Sequence, residues 1–232
     1  MRLIIYAFST ISCASIVPEP TDGTPLPPAA SVDLVLVVDN LVGSDAFVQD
    51  LADAIPDLAE RLDQERTDYR IGLLLSHDKE DPSWDSFIPG PPSLYWIDRT
   101  SGDLDAILTP HLVVGRSRAA TLIREQVFSA VDGPRNQSFR RSDAPLHVVV
   151  VSPRDDRSED RPVSHQDFAA WISSQPEGSA FHAIVGVPPD CPGAAIAERH
   201  MWVQERTGGV LTSICEPDFD AVWEAVVPPA SD

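Results

Sequence analysis

The amino-acid sequence predicts an α/β fold, a mostly parallel sheet with helices packed on both of its faces. Three observations lead there. "VDLVLVV", Val32 to Val38, is a nearly unbroken apolar run with four Val. "PLHVVVVS", Pro145 to Ser152, is a second run of the same kind. Around them, short apolar runs alternate with segments whose apolar residues recur at helical spacing, the pattern of βαβ units.

Each element follows in chain order. The run Val32 to Val38 suits a central strand, because only a strand covered on both faces is apolar throughout. Residues 44 to 66 carry Phe47, Leu51, Ile55, Leu58 and Leu62 at helical spacing, with Ser44 placed to cap the helix. Pro56 is expected to bend or split it. "YRIGLLLS", Tyr69 to Ser76, is the second strand, and "SLYWID", Ser93 to Asp98, a short third strand near an edge. "DLDAILTPHLV" predicts a short helix bent near Pro110, and Arg118 to Val131 a clearer amphipathic one. After the Pro145 to Ser152 strand, Ser164 with Asp167 three residues on marks a helix start. "FHAIVGV" is a strand, and "AAIAERHMWVQERTGG" a helix that Gly208 stops. "VLTSI" and "FDAVWEAV" close the chain as a strand and a helix. The polar segment from His77 to Thr109 reads as a functional insertion or a long surface loop.

A chain of 232 residues holds one domain with a sizeable core. The formal net charge is −19, from 36 acidic against 17 basic residues, so the surface repels phosphate backbones and argues against nucleic-acid binding. Lys79 is the only Lys, which makes Schiff-base chemistry improbable.

The N-terminus has the order of an export signal. In "MRLIIYAFSTISCAS" a basic residue, Arg2, precedes an apolar stretch and then small residues. That stretch is shorter than the roughly 20 residues a spanning helix needs. Ile11, Ser12 and Cys13 resemble the end of a bacterial lipoprotein processing signal, with Cys13 as the lipidated residue, although Thr10 departs from the usual Leu. Five Pro in "SIVPEPTDGTPLPPAAS" then predict an extended tether. The expected organisation is a signal peptide at 1–12, a tether at 13–31 and one domain at 32–232.

"VDLVLVVDN", "DYRIGLLLS", "RRSDAPLHVVVVSPRDD", "FHAIVG" and "ERTGGVLTSIC", in that order and spacing, resemble a von Willebrand factor A-like domain, in the secreted and lipoprotein versions of Gram-negative bacteria. The resemblance implies a doubly wound, Rossmann-like three-layer sandwich. Its six-stranded sheet would have the order 3-2-1-4-5-6, with the third strand antiparallel at the edge. It also implies a divalent cation, usually Mg²⁺, at the switch point. The ligands there are Asp-x-Ser-x-Ser after the first strand, a Thr from a middle loop and an Asp after the fourth strand. A partner's carboxylate often completes the shell. Hard oxygen donors with few carboxylates leave such an ion able to accept that group.

This sequence departs from that pattern. Asp39 and Asn40 are present, but Leu41 and Gly43 stand where the two Ser belong, Arg116 falls about where the Thr is expected, and Pro153 follows Ser152. Leu has no donor atom and Pro no side-chain oxygen. Asp39, Ser44, Asp155 and Asp156 remain as weak metal candidates. The expectation is a degenerate site with no cofactor, in which an arginine near Asp39 replaces the cation; the alternative is an atypical Mg²⁺ or Mn²⁺ site.

Cys191 follows one strand and Cys215 the next. If these strands are neighbours, as the implied fold has it, both lie at one end of the sheet, and a disulfide is expected in an exported chain. No HExxH, nucleophile elbow or phosphate loop occurs. His147 and His182 fall within strands, where a satisfied core or interface histidine is the ordinary explanation. The run from Arg154 to Arg161 reads as a solvated loop. Trp84, Phe87, Tyr95 and Trp96 are either interface anchors in a Pro-braced loop or a small cluster packed back on the domain.

The sequence therefore points to a non-enzymatic protein-interaction or scaffolding module of the bacterial cell envelope. It would be exported to the outer membrane, periplasm or cell surface and held by its N-terminal lipid, with an unidentified protein as partner. The alternatives are a cation-dependent adhesion domain and an envelope-associated hydrolase.

Overall fold

In the computed structural model the described residues are 30–39, 44–75, 85–88, 96–112, 122–136, 138–158, 163–189, 191–227 and 229. Its strands are Ser31–Val38 (β1), Asp68–Leu75 (β2), Ile97–Asp98 (β3), Leu146–Ser152 (β4), Ala180–Val185 (β5) and Leu211–Ser213 (β6). Its helices are Asp45–Gln64 (α1), Leu104–Leu108 (α2), Ile123–Asp132 (α3), His165–Ser173 (α4), Glu198–Thr207 (α5) and Phe219–Val226 (α6). The strands form one sheet in the order β3-β2-β1-β4-β5-β6. β3 alone pairs antiparallel, at one edge, and the other strand pairs are parallel. The chain is thus a Rossmann-like three-layer α/β sandwich.

The side-chain period of two divides the core between the faces. Leu34, Leu36, Val149 and Val151 meet α1, α2 and α6, while Val35, Val37, Val148 and Val150 meet α3, α4 and α5. On the first face, the indole of Trp223 donates to the Ala54 carbonyl at 3.1 Å and pins α6 to α1.

Pro56 does not split α1. It is exposed, so its ring meets solvent and not the core. The Ser44 side chain makes no capping bond, contrary to expectation. Ser164 does cap α4, accepting from the Asp167 amide at 3.0 Å. Gly208 ends α5 at φ 74°, a left-handed conformation that glycine adopts without a Cβ penalty. After α2 the chain tightens into a 3₁₀ turn at Thr109–His111, where Pro110 was expected to bend it.

Two buried polar devices brace the sheet, and the first was not foreseen. At the amino ends of β1 and β2, Asp33 is fully buried and Arg141 clasps it. The Arg141 backbone amide and Nε donate to Asp33 at 2.6 and 2.8 Å, and Nη1 reaches Asp68 at 2.6 Å. Burial pushes the Asp33 carboxyl up from its ordinary value, and the bonds and charge of Arg141 oppose it. Between β4 and β5, the rings of His147 and His182 stack, with Nδ1 of the first 2.9 Å from Nε2 of the second. The Val210 amide donates to His182 Nδ1 at 3.1 Å. That fixes the proton of His182 on Nε2, so it donates to His147. Of the core and interface explanations expected for both positions, the buried and bonded pair fits the core one.

Candidate functional site

Ligands of open α/β sheets bind outside the carboxyl ends of the strands. Here that end holds two neighbouring features, a buried cluster at β1 and β4 and a crevice beside it.

Val38 pairs with Val151, so Asp39 and Ser152 emerge side by side. The Asp39 amide continues the ladder to the Val151 carbonyl at 2.9 Å. Its carboxylate is buried, and Ser152 Oγ lies 2.9 Å from Oδ2. The same hydroxyl lies 2.9 Å from the Arg154 carbonyl and accepts from the Arg154 amide at 3.1 Å. Ser152 thus ties Asp39 to the turn after β4. Pro153 stands in that turn, where its lack of an amide proton is harmless because the neighbouring Arg154 amide supplies the bond. Ser44 is buried at the start of α1, its carbonyl accepting from the Val48 amide at 3.0 Å.

The two aspartates after β4 have structural partners. Asp156 is fully buried, caps the start of α3 through the Ile123 and Arg124 amides, and pairs with the Arg124 guanidinium. It also accepts from the Ser158 amide and hydroxyl, each at 2.8 Å. Arg124 Nη2 donates to the Ser158 carbonyl at 2.8 Å. Asp155 faces α5, where its Oδ1 accepts from the Arg199 amide at 3.0 Å. An acidic side chain at a helix start satisfies orphan amides and complements the macrodipole. His200 is buried close by. Burial lowers its pKa, and the charges of Asp156 and Asp155 oppose that shift.

Arg116, expected near Asp39, lies outside the described residues, as do Cys13, Leu41, Gly43, Trp84 and Tyr95. The internal arginine–aspartate pair among the described residues at this end is Arg124 with Asp156. The sequence carried a signal for it. Arg124 shares the helix phase of Val127 and Val131, an apolar stripe where a charge needs a buried partner. Among the described residues, no group of three or more His, Cys, Asp or Glu is placed to hold a metal ion.

The crevice lies between the turn after β4 and the loop that leads into α5. Its volume is about 540 Å³, and Arg154, Arg157 and Arg199 line it together with Asp155, Asp156 and Glu198. The Ala195 amide donates to the Pro153 carbonyl at 2.8 Å and joins the two walls. Arg199 Nη1 donates to the Asp156 carbonyl. Among the described residues, neither the Arg154 nor the Arg157 guanidinium has a carboxylate partner. Sequence reasoning read these arginines as part of a solvated loop and gave no role to Arg199.

Phe87 and Trp96, two of the four aromatic interface candidates, pack back onto the domain. Phe87 is buried against Phe139 with ring centroids 4.5 Å apart. Trp96 is half-buried, edge-on to Phe139 at 6.3 Å and under the Arg70 guanidinium at 5.4 Å.

Cys191 and Cys215 form a disulfide at the carboxyl ends of β5 and β6, with Cα atoms 5.8 Å apart. It anchors the crevice's second wall. The 24-residue separation gives a stabilisation of about 3.5 kcal/mol on the chain-entropy relation. Urea unfolding with and without reductant is expected to differ by that amount, and equal midpoints would refute it.

No helix among the described residues is long and apolar enough to cross a membrane. No family model matches the chain, and no curated protein matches it.

Proposed function

We propose that the protein is a non-catalytic interaction module of the bacterial cell envelope, of von Willebrand factor A-like type, which engages a protein partner without a bound metal. One observation carries this reading. The polar groups at the ends of β1 and β4 that would have to ligate a cation are committed to the chain itself. Asp39 is bonded to Ser152, Asp155 caps α5, and Asp156 caps α3 and pairs with Arg124. A Mg²⁺ ion needs near-octahedral hard oxygens free to turn toward it. Withdrawing these carboxylates would uncap two helices and leave Arg124 buried without its partner.

The disulfide supports an oxidising compartment, in keeping with the export signal and a lipid anchor at Cys13. The acidic surface supports a solvated, envelope-facing domain and a protein partner rather than a nucleic acid.

Calorimetric titration of the oxidised protein with Mg²⁺ and with Mn²⁺, alongside Asp39→Ala, tests the reading. The expected result is no saturable heat in either protein. Stoichiometric binding by the parent that disappears in Asp39→Ala would replace this reading with cation-dependent adhesion.

A further inference from the structure

We infer that the crevice between the turn after β4 and the start of α5 is the binding site for an acidic segment of a partner protein, held by the guanidinium groups of Arg154 and Arg157. This deepens the proposed interaction-module function and rests on it.

The argument begins with charge. The chain has 36 acidic residues against 17 basic ones, so an arginine on its surface has carboxylates in abundance to pair with. Arg154 and Arg157 pair with none among the described residues, although Asp155, Asp156 and Glu198 share the crevice wall with them. The reason is in the bonding. Asp156 spends its oxygens on the α3 amides, Arg124 and Ser158, and Asp155 Oδ1 accepts from the amides of Asp156 and Arg199. The wall's aspartates are thus held by the backbone, while among the described residues the Arg154 and Arg157 guanidinium groups have no carboxylate partner. A guanidinium presents paired N–H donors matched to the two oxygens of a carboxylate, and two of them around one cavity form an anion site.

The size and setting select the ligand. A volume of about 540 Å³ lies within the usual range for ligand pockets and admits a few side chains of a peptide. The local arginines act at contact distance, whereas the surrounding surface repels anions over about a Debye length, roughly 8 Å at physiological salt. A long polyanion meets that repulsion along its whole length, but one or two carboxylates on a neutral segment do not. The same loop leaves Ile196 at 40% exposure beside Ala195 in the crevice wall. An apolar side chain next to a cationic pocket fits a peptide that pairs an acidic residue with an apolar one.

The test is fluorescence anisotropy of a labelled hexapeptide amide with one Asp beside one Leu among Gly and Ser, titrated with the oxidised protein in EDTA. The comparisons are Arg154→Gln/Arg157→Gln and a peptide with Asn in place of Asp. Among the described residues both substituted side chains lack ion-pair partners, so the double variant is expected to keep the parent's circular dichroism and melting temperature. The expected result is saturable binding that weakens at least tenfold in the double variant and with the Asn peptide. Equal binding by parent and double variant in EDTA would overturn the crevice while leaving metal-independent interaction in place. Binding that needs Mg²⁺ and is lost in Asp39→Ala, but not in the arginine variant, would overturn both. Absence of binding, or displacement by free succinate as effective as by unlabelled peptide, would overturn the acidic-segment assignment.

Discussion

Asp156→Ala is expected to destabilise the protein by about 3–5 kcal/mol, the range for removing one partner of a buried ion pair. Arg124 is 1% exposed and Asp156 fully buried, so the guanidinium left behind cannot turn to water. Its Nη1 already has no hydrogen-bond partner among the described residues, which makes the carboxylate its principal compensation. The substitution also removes the acceptor for the first amides of α3 and for Ser158. Asp156→Asn separates these effects, because an amide oxygen can still accept from the backbone but carries no charge. Asn is therefore expected to fall between parent and Ala. Arg124→Met/Asp156→Ala is expected to recover much of the loss, since it leaves no buried charge unpaired. Urea unfolding of the parent, Asp156→Ala, Arg124→Met and the double variant closes a double-mutant cycle. A coupling below about 1 kcal/mol would show that the pair is not the keystone of this end of the sheet.

The contrast between Arg124 and Asp39 explains what the sequence made legible. The sheet was readable because burial on both faces writes itself into consecutive apolar residues, as in Val32 to Val38 and Leu146 to Ser152. The carboxyl-end position of Asp39 followed from the same pattern, since a strand must end where charge begins. The disulfide was legible once the strands before Cys191 and Cys215 were taken as neighbours. The identity of the partners in the polar pairs was not. Asp33 lies between Val32 and Leu34 in a buried strand, and its partner Arg141 is 108 residues away. Nothing local names that partner. The crevice failed for another reason. A run such as "PRDDRSED" looks the same whether its carboxylates neutralise its arginines or are drawn away by helix amides. Which of these happens depends on where α3 and α5 begin in space. Of the two effects expected of Pro56, a bend or a split, the split does not occur, since α1 runs from Asp45 to Gln64 with Pro56 inside it.

Stability is expected to fall as the pH drops below about 6.5, the ordinary histidine value, with a slope set by the buried His147 and His182. Burial pushes His147 down to about 4, and burial together with the charge of His147 pushes His182 down to about 3. In the unfolded chain both protonate near the ordinary value. Between about 6.5 and 4 the unfolded state therefore binds more protons than the folded one, and acid favours unfolding. The stability these residues contribute is fully present above the unfolded value and is lost as the pH falls toward the folded ones. Each buried histidine gives a slope of about 1.4 kcal/mol per pH unit, hence roughly 3 kcal/mol for each by pH 4. The geometry gives the reason. His182 Nδ1 accepts from the Val210 amide and its Nε2 donates to His147 Nδ1, so a second proton on either ring breaks a bond that needs a lone pair. His200 shifts in the same direction and adds to the slope, whereas the raised Asp33 opposes it at the acid end. His147→Gln/His182→Gln isolates the pair, because His200 and Asp33 are common to both proteins. Urea unfolding from neutral pH to about pH 4 is expected to show a shallower loss in the double variant by roughly two protons' worth of slope. An unchanged slope would mean that the pair takes up no protons differentially, and that some other group sets the protein's sensitivity to acid.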